Sequence, residues 1–191
     1  MAKRAIIFLA DGFEEVEAVT PIDYLRRAGV EVTVAAVGHE RAVKSSRGLS
    51  ILATDTVADL SAAAGRWTPA SWDAVLVPGG MPGATNVAAS RPCGDLLKAF
   101  AASGKVIGAI CAAPAVVLAP LGILSGRAFT CFPGMEKEVS GGRWKEDRVV
   151  VDGNLITSRS AGTAGEWARA LVATLCGEEA AHRLTNAVLL K

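Results

Sequence analysis

The chain alternates short apolar runs with longer stretches in which apolar residues recur every three or four positions. The runs RAIIFLA, VEVTVAAV, WDAVLVPGG and KVIGAI are rich in aliphatic residues, as buried parallel strands are. Between them, DGFEEVEAVTPIDYLRRAG and RPCGDLLKAFAASG have helical spacing, and each ends at a glycine, Gly29 or Gly104. This order predicts an α/β fold, in which helices cover both faces of a mainly parallel sheet.

The remaining segments predict edges and closing elements of the same fold. ERAVKSSRGLSILAT mixes polar and apolar residues around Ser, Arg and Gly and predicts an exposed hairpin. AAAGRWTPAS predicts a loop, GMEKEVSGGRWKEDR a polar insert, and VVVDGNLITSR a strand pair that turns at Asp152 and Gly153. Two helices close the chain. No repeat or linker divides it, so residues 1–191 are expected to form a single domain.

The longest apolar stretch, from Lys105 to Arg127, has no charged side chain between its ends. It is long enough to span a membrane, which takes about 20 apolar residues. Two prolines and two glycines interrupt it, however, and would leave carbonyl groups without partners in lipid. We therefore predict that this stretch does not cross a membrane and that the protein has no membrane partner. The stretch is predicted to form a buried strand, a turn at CAA, and a helix over PAVVLAPLGIL with Pro114 near its first turn.

Composition narrows the function classes further. The net charge is +1 with both signs scattered, which argues against nucleic acid as a partner. The four cysteines are widely spaced and the histidines number two, so neither a metal site nor a disulfide framework is indicated. The apolar run near the N-terminus is too short for a signal peptide. We expect a reduced, cytoplasmic protein.

Four turns follow the predicted strands: ADGFEE, PGGMPG, CAAP and SRSAGT. Ligands of open α/β sheets bind beyond the carboxyl ends of the strands, where these turns lie. Cys111 stands between a strand and a helix, so amides at the helix start are expected to lower its pKa and favour the thiolate. The amide of Ala112 would then face an oxyanion. From position alone, Cys111 could equally be a small buried apolar residue.

Three glutamates, Glu14, Glu15 and Glu17, follow the first predicted strand within DGFEEVE. Glu14 and Glu17 share a helix face, and acids at a helix start stabilise its dipole, which accounts for at least one of them. A carboxyl buried below the sheet edge would have a raised pKa and could exchange a proton with a thiolate. The glycines of PGGMPG lack the spacing of a phosphate-binding loop, but they allow the Gly80 amide to face the same pocket.

Together, AICAAP, VPGG and LADGFEEVEAVTPIDYLRRAG resemble the DJ-1/PfpI (ThiJ) superfamily, and AVKSSRGLSI and ITSRSAGTAGEWA are similar to its DJ-1-like branch. Protease-like members have a histidine directly after the cysteine, whereas this chain has Ala112. The resemblance implies a flavodoxin-like three-layer sandwich, usually a homodimer. It also implies an activity that needs no cofactor.

The resemblance also implies roles for single residues. It gives Cys111 as the reactive cysteine, Glu17 as its carboxylic partner, and the amides of Gly80 and Ala112 as oxyanion donors. The implied pocket lining comprises Gly79, Phe132, Ser158, Arg159 and Arg47, with Arg47 approaching the partner subunit's pocket. Human-like members have a histidine where this chain has Phe132, so we expect slow proton transfer.

Two functions use these residues. The first is a glutathione-independent glyoxalase or protein deglycase that acts on methylglyoxal, glyoxal or their early adducts through a hemithioacetal on Cys111. The second is a redox-responsive, stress-protective or chaperone-like protein in which Cys111 is oxidised to the sulfinate. A third reading, an oligomer with a vestigial pocket, remains open because a fold does not establish a function.

Overall fold

A seven-stranded sheet forms the centre of the molecule, whose computed structural model describes residues 2–190. Across the sheet the strands follow the order β10-β11-β7-β6-β1-β2-β5, and every neighbouring pair is parallel except β10 with β11. The strands are β1 Arg4–Leu9, β2 Glu31–Ala36, β3 Ala42–Lys44, β4 Ser50–Leu52, β5 Asp55–Thr56, β6 Ala74–Val77, β7 Val106–Ile110, β8 Ala128–Phe129, β9 Arg143–Trp144, β10 Val149–Asp152 and β11 Leu155–Ser158. The helices are α1 Glu15–Arg27, α2 Val57–Ala62, α3 Gly83–Ala89, α4 Arg91–Ser103, α5 Ala164–Cys176 and α6 Glu178–Val188.

Helices pack on both faces of this sheet. Side chains of β1 alternate between two cores: Ile6 and Phe8 pack with residues of α2, α3 and α4, whereas Ile7 and Leu9 pack with residues of α1, α5 and α6. Because both faces are covered, the central strands are buried along their length and read as apolar runs. The predicted three-layer α/β sandwich with a mainly parallel sheet is confirmed.

The predicted helix over PAVVLAPLGIL is wrong. Only Pro114–Leu118 is helical, as a single π turn in which the Ala119 amide donates to the Pro114 carbonyl at 3.0 Å. Turns follow, because Pro120 has no amide and Gly122 adopts a left-handed φ of +74°. The short helices α2 and α3 were not predicted. The second of these is built mostly from small residues and is too short to show a helical period.

The β3–β4 hairpin was predicted, and it lies across the turn between β1 and α1. The Gly12 amide donates to the Lys44 carbonyl and the Ser46 amide to the Phe13 carbonyl, each at 2.8 Å. These two bonds hold the tip of the hairpin above the carboxyl end of β1. At the far edge, β10 and β11 form the predicted antiparallel pair. Within residues 2–190, no helix has the length and apolar content needed to cross a membrane.

Candidate active site

The turns after β1, β6, β7 and β11 meet around one cavity of about 560 Å³ at the carboxyl edge of the sheet. The neighbouring hairpin tip and the segment after β8 complete its wall. Its lining residues are Glu14, Glu17, Ser46, Arg47, Gly80, Met81, Cys111, Ala112, Phe132, Pro133, Met135, Ser160 and Ala161. Cys111 and Glu17, the two residues predicted to react, therefore face the same space.

Cys111 stands on a sharp turn between β7 and the π turn. Its φ of +62° lies in the left-handed region, where a residue with a side chain is strained by roughly 1–2 kcal/mol. Hydrogen bonds on both sides fix this conformation: the Cys111 amide donates to the Ser158 carbonyl at 3.0 Å, and its carbonyl accepts from the Phe132 amide at 2.8 Å. The half-buried side chain is thereby presented to the cavity.

Glu17 comes from the first turn of α1 and is fully buried. The helix begins at Glu15 because Glu14 caps it, accepting from the Glu17 amide at 2.8 Å. Glu17 Oε2 accepts from the Gly79 amide at 2.8 Å, while Oε1 has no hydrogen-bond partner among the described residues. Burial raises the pKa of Glu17 to about 7, although the Cys111 thiol and the Gly79 amide oppose the shift.

Gly79 packs against both the cysteine and the carboxylate. A Cβ atom built on it would lie 2.6 Å from the Cβ of Cys111 and 2.7 Å from Glu17 Oε2. Real Cβ atoms do not approach other atoms this closely, so only glycine lets the two side chains share one space. Gly79, predicted to line the pocket, is not among the lining residues and instead packs against the reacting pair.

The pKa of Cys111 moves in the direction opposite to the prediction. Burial, and then the charge of ionised Glu17, raise the pKa of the thiol to about 12, whereas the amides of Ala112 and Gly80 lower it by less. The sequence could not reveal the raised pKa, because it does not show how deeply the Cys111 thiol is buried. Two negative charges this close exclude each other, so the pair loses one proton near neutral pH and retains the second.

The other predicted site residues divide into two groups. Gly80, Ala112, Phe132 and Arg47 line the cavity, with Arg47 in the pocket of its own chain. Ser158 and Arg159 do not. The Ser158 hydroxyl lies 2.7 Å from Thr163 Oγ1, and Arg159 donates to the Glu146 carbonyl at 2.8 Å.

Residues Ser160 and Ala161 occupy the rim in place of Ser158 and Arg159. Both belong to the turn SRSAGT, and two further lining residues, Glu14 and Met81, belong to ADGFEE and PGGMPG. These lining residues could have been predicted from the sequence, because each of the three turns directly follows a strand of the central sheet. Lining residues contributed by the hairpin tip and by the segment after β8 have no such signal, because neither follows a strand of the central sheet.

Within residues 2–190, no three His, Cys, Asp or Glu side chains come close enough together to hold a metal ion. The described cysteines are all free thiols. The polar groups available at the cavity are therefore one thiol, two carboxyls, an arginine, hydroxyls and backbone amides. This set can add a thiol to a carbonyl carbon, stabilise the resulting oxyanion and move protons.

The family model for the DJ-1/PfpI family matches residues 3–174. The chain belongs to the DJ-1/PfpI family. Protein dj-1beta of Drosophila melanogaster is 40% identical over 192 residues, which cover 100% of this chain and 98% of that protein. Glutathione-independent glyoxalase DJR-1.2 of Caenorhabditis elegans is 35% identical, with 98% of this chain and 97% of that protein covered.

Solved structures in this family have the same fold. The crystal structure of Drosophila melanogaster DJ-1beta superposes with a TM-score of 0.91 at 39% identity, covering 100% of both chains. Oxidised Toxoplasma gondii DJ-1 gives a TM-score of 0.91 at 35% identity, covering 98% of each chain. The agreement extends over the whole sheet and both helical layers.

Proposed function

We propose that this protein is a cofactor-independent glyoxalase or deglycase that uses Cys111 to convert methylglyoxal, glyoxal or their early adducts. The observation that carries the proposal is the half-buried thiol of Cys111 beside a fully buried carboxyl whose Oε1 has no partner. A buried acid that titrates near neutral pH is suited to proton transfer at that pH. The glyoxalase name of the Caenorhabditis elegans relative supports the same chemistry.

In the first step, the sulfur of Cys111 attacks the aldehyde carbon of methylglyoxal. A carbon–sulfur bond forms, and the π electrons of the carbonyl move to its oxygen. The amides of Gly80 and Ala112, which lie beside the sulfur, would stabilise that oxyanion. Glu17 accepts the thiol proton and returns it to the oxygen, which gives a hemithioacetal.

In the second step, Glu17 removes the proton from the former aldehyde carbon and passes it to the neighbouring carbonyl oxygen, which gives an enediol. Transfer of the other hydroxyl's proton to the neighbouring carbon, again through Glu17, gives a thioester of lactate, which water hydrolyses to lactate and free Cys111. A deglycase would begin from the adduct that an amine forms with the same dicarbonyl, and water would release the amine. Phe132 lines the pocket where human-like relatives have a histidine, so we expect a modest rate.

The test is lactate production from methylglyoxal without glutathione. We expect Cys111→Ala to abolish it. Cys176→Ala is the matched control, because Cys176 is also half-buried but lies at the end of α5, outside the cavity lining. The control should retain the wild-type rate. Full lactate production by Cys111→Ala would refute the proposal.

A redox-responsive protective role is the second candidate, favoured by the same unpartnered Oε1. When Glu17 is protonated, that oxygen can donate a hydrogen bond to a sulfinate on Cys111. Peptide mass spectrometry after mild peroxide treatment tests it. Selective oxidation of Cys111 supports a sensor, whereas equal oxidation of all four cysteines argues against one.

We further propose that the protein is a cytoplasmic homodimer. Exposed apolar side chains on α1 and on the adjacent hairpin, Val16, Val19, Leu49 and Leu52, support self-association on that side. The cytoplasm would keep a reactive Cys111 reduced. Light scattering coupled to size-exclusion chromatography tests the dimer, and a monomer at micromolar concentration would contradict it.

A further inference from the structure

The cavity around Cys111 is much larger than the smallest dicarbonyls. Its volume is about 560 Å³. Methylglyoxal would occupy on the order of 100 Å³, judged from the roughly 30 Å³ that one water molecule takes up in the liquid. Most of the space would therefore stay filled with water when methylglyoxal is bound to the sulfur. The structure leaves room for a substituent several times larger than a methyl group.

Two separate segments contribute apolar side chains to the walls of that extra space. Met81 comes from the turn after β6 and is 55% exposed, and Phe132 comes from the segment after β8 and is 44% exposed. Met135 and Pro133 extend the wall formed by Phe132. Large apolar side chains exposed in one concave site mark a place where a ligand removes apolar surface from water.

The segment that carries Phe132 is hydrogen-bonded to Cys111 itself. The Phe132 amide donates to the Cys111 carbonyl at 2.8 Å, so the two residues are neighbours across this turn. A substituent on a carbonyl carbon bound to Cys111 would occupy the cavity that Phe132 lines. Aromatic rings pack well against phenylalanine and methionine, through ring–ring and sulfur–ring contacts.

The polar side of the cavity also accepts an aromatic ring. Arg47 lines it from the hairpin tip and forms no ion pair with any described residue. A guanidinium free of a carboxylate partner can lie over the face of an aromatic ring. A plain alkyl arm has no ring face to offer this group. An aryl arm therefore matches both the apolar walls and the cation.

We propose that the pocket selects 2-oxoaldehydes that carry an aryl substituent, with Phe132 and Met81 as specificity-determining residues. This inference rests on the proposed glyoxalase function. The step is the same: a carbon–sulfur bond forms with Cys111, the proton shifts between neighbouring carbons, and water cleaves the thioester to an aryl 2-hydroxy acid. No oxidant or reductant is consumed.

The test compares kcat/KM for phenylglyoxal and methylglyoxal, with mandelate and lactate as the measured products. We expect the wild-type ratio to favour phenylglyoxal by roughly tenfold or more. Phe132→Ala and Met81→Ala should each lower that ratio by roughly fivefold to tenfold. Both side chains are partly exposed, so these variants should fold. The control is Trp144→Ala, since Trp144 is an exposed aromatic residue outside the cavity lining.

The possible outcomes separate the two proposals. If methylglyoxal is converted but the ratio is one or less, or if Phe132→Ala leaves the ratio unchanged, the aryl specificity is wrong and the glyoxalase function stands. If the protein converts neither dicarbonyl, the glyoxalase function itself fails and the specificity fails with it. A wild-type preference for phenylglyoxal that falls in both pocket variants, but not in Trp144→Ala, supports the inference.

Discussion

The Gly79 amide donates to Glu17 Oε2 at 2.8 Å, and any side chain at position 79 would collide with both Glu17 and Cys111. One residue thus holds the carboxylate and keeps the thiol within its reach. The proximity of these two acids, rather than any single residue, gives the site its proton chemistry.

Gly79→Ala should remove activity without unfolding the protein. The added Cβ would strike Cys111 and Glu17, so we expect lactate production to fall by roughly 100-fold, the effect of misplacing a catalytic group. Overpacking should lower the free energy of unfolding by about 1–3 kcal/mol. Gly94→Ala is the control. Gly94 lies within α4, and a Cβ added there would contact Leu121 at an ordinary distance of 3.5 Å. The activity of Gly94→Ala should therefore match that of wild type.

The raised pKa of Glu17 predicts how stability changes with pH. Burial raises its folded pKa to about 7 from 4.5, so the protonated acid favours the folded state. This contribution is complete below about pH 4.5 and is lost as pH rises through about 7, amounting to about 3 kcal/mol. Urea unfolding measured across that range should show wild type losing stability relative to Glu17→Gln, which cannot ionise.

Glu31→Gln is the control for this pH series, because Glu31 is exposed on β2. Its stability should follow that of wild type at every pH. A constant difference between wild type and Glu17→Gln across the series would show that Glu17 titrates at its ordinary value in the folded protein.

The strained turn at Cys111 predicts a stability difference between two inactive variants. Glycine adopts the left-handed φ of +62° freely, whereas alanine retains the strain. Cys111→Gly should therefore be about 1 kcal/mol more stable to unfolding than Cys111→Ala. Thermal or urea unfolding measures the difference. Equal stabilities, or a more stable alanine variant, would show that this turn is relaxed.

The sequence located the centre of the site but only part of its outer wall. Cys111 was found because it stands in a turn directly after a buried strand, where parallel strands deliver their ligand-binding residues, whereas Glu17 was singled out among three acids by the resemblance to the DJ-1/PfpI family. Met135 and Ser46 reach the cavity from segments outside the central sheet, and only tertiary packing brings them there. No local pattern encodes that approach.

The fold was predicted well where apolar runs are long and poorly where residues are small. β1, α1, β6 and α4 have clear periods, whereas α3 is rich in glycine and alanine. The direction of the Cys111 pKa was wrong for a different reason. A pKa depends on burial and on neighbouring charge, and the sequence shows neither the depth of the thiol nor the position of Glu17 behind it.

The pH dependence of Cys111 alkylation tests the central claim, that Cys111 and Glu17 share one proton, most directly. Iodoacetamide labelling of the Cys111 peptide would be followed by mass spectrometry from about pH 5 to about pH 10.5 in wild type and Glu17→Gln. The labelling rate of wild type should rise in two steps, one near pH 7 and one toward pH 12 that is still incomplete at the end of the range. Glu17→Gln should show a single step. The same single step in both proteins, near the ordinary thiol value of about 8.5, would contradict the account.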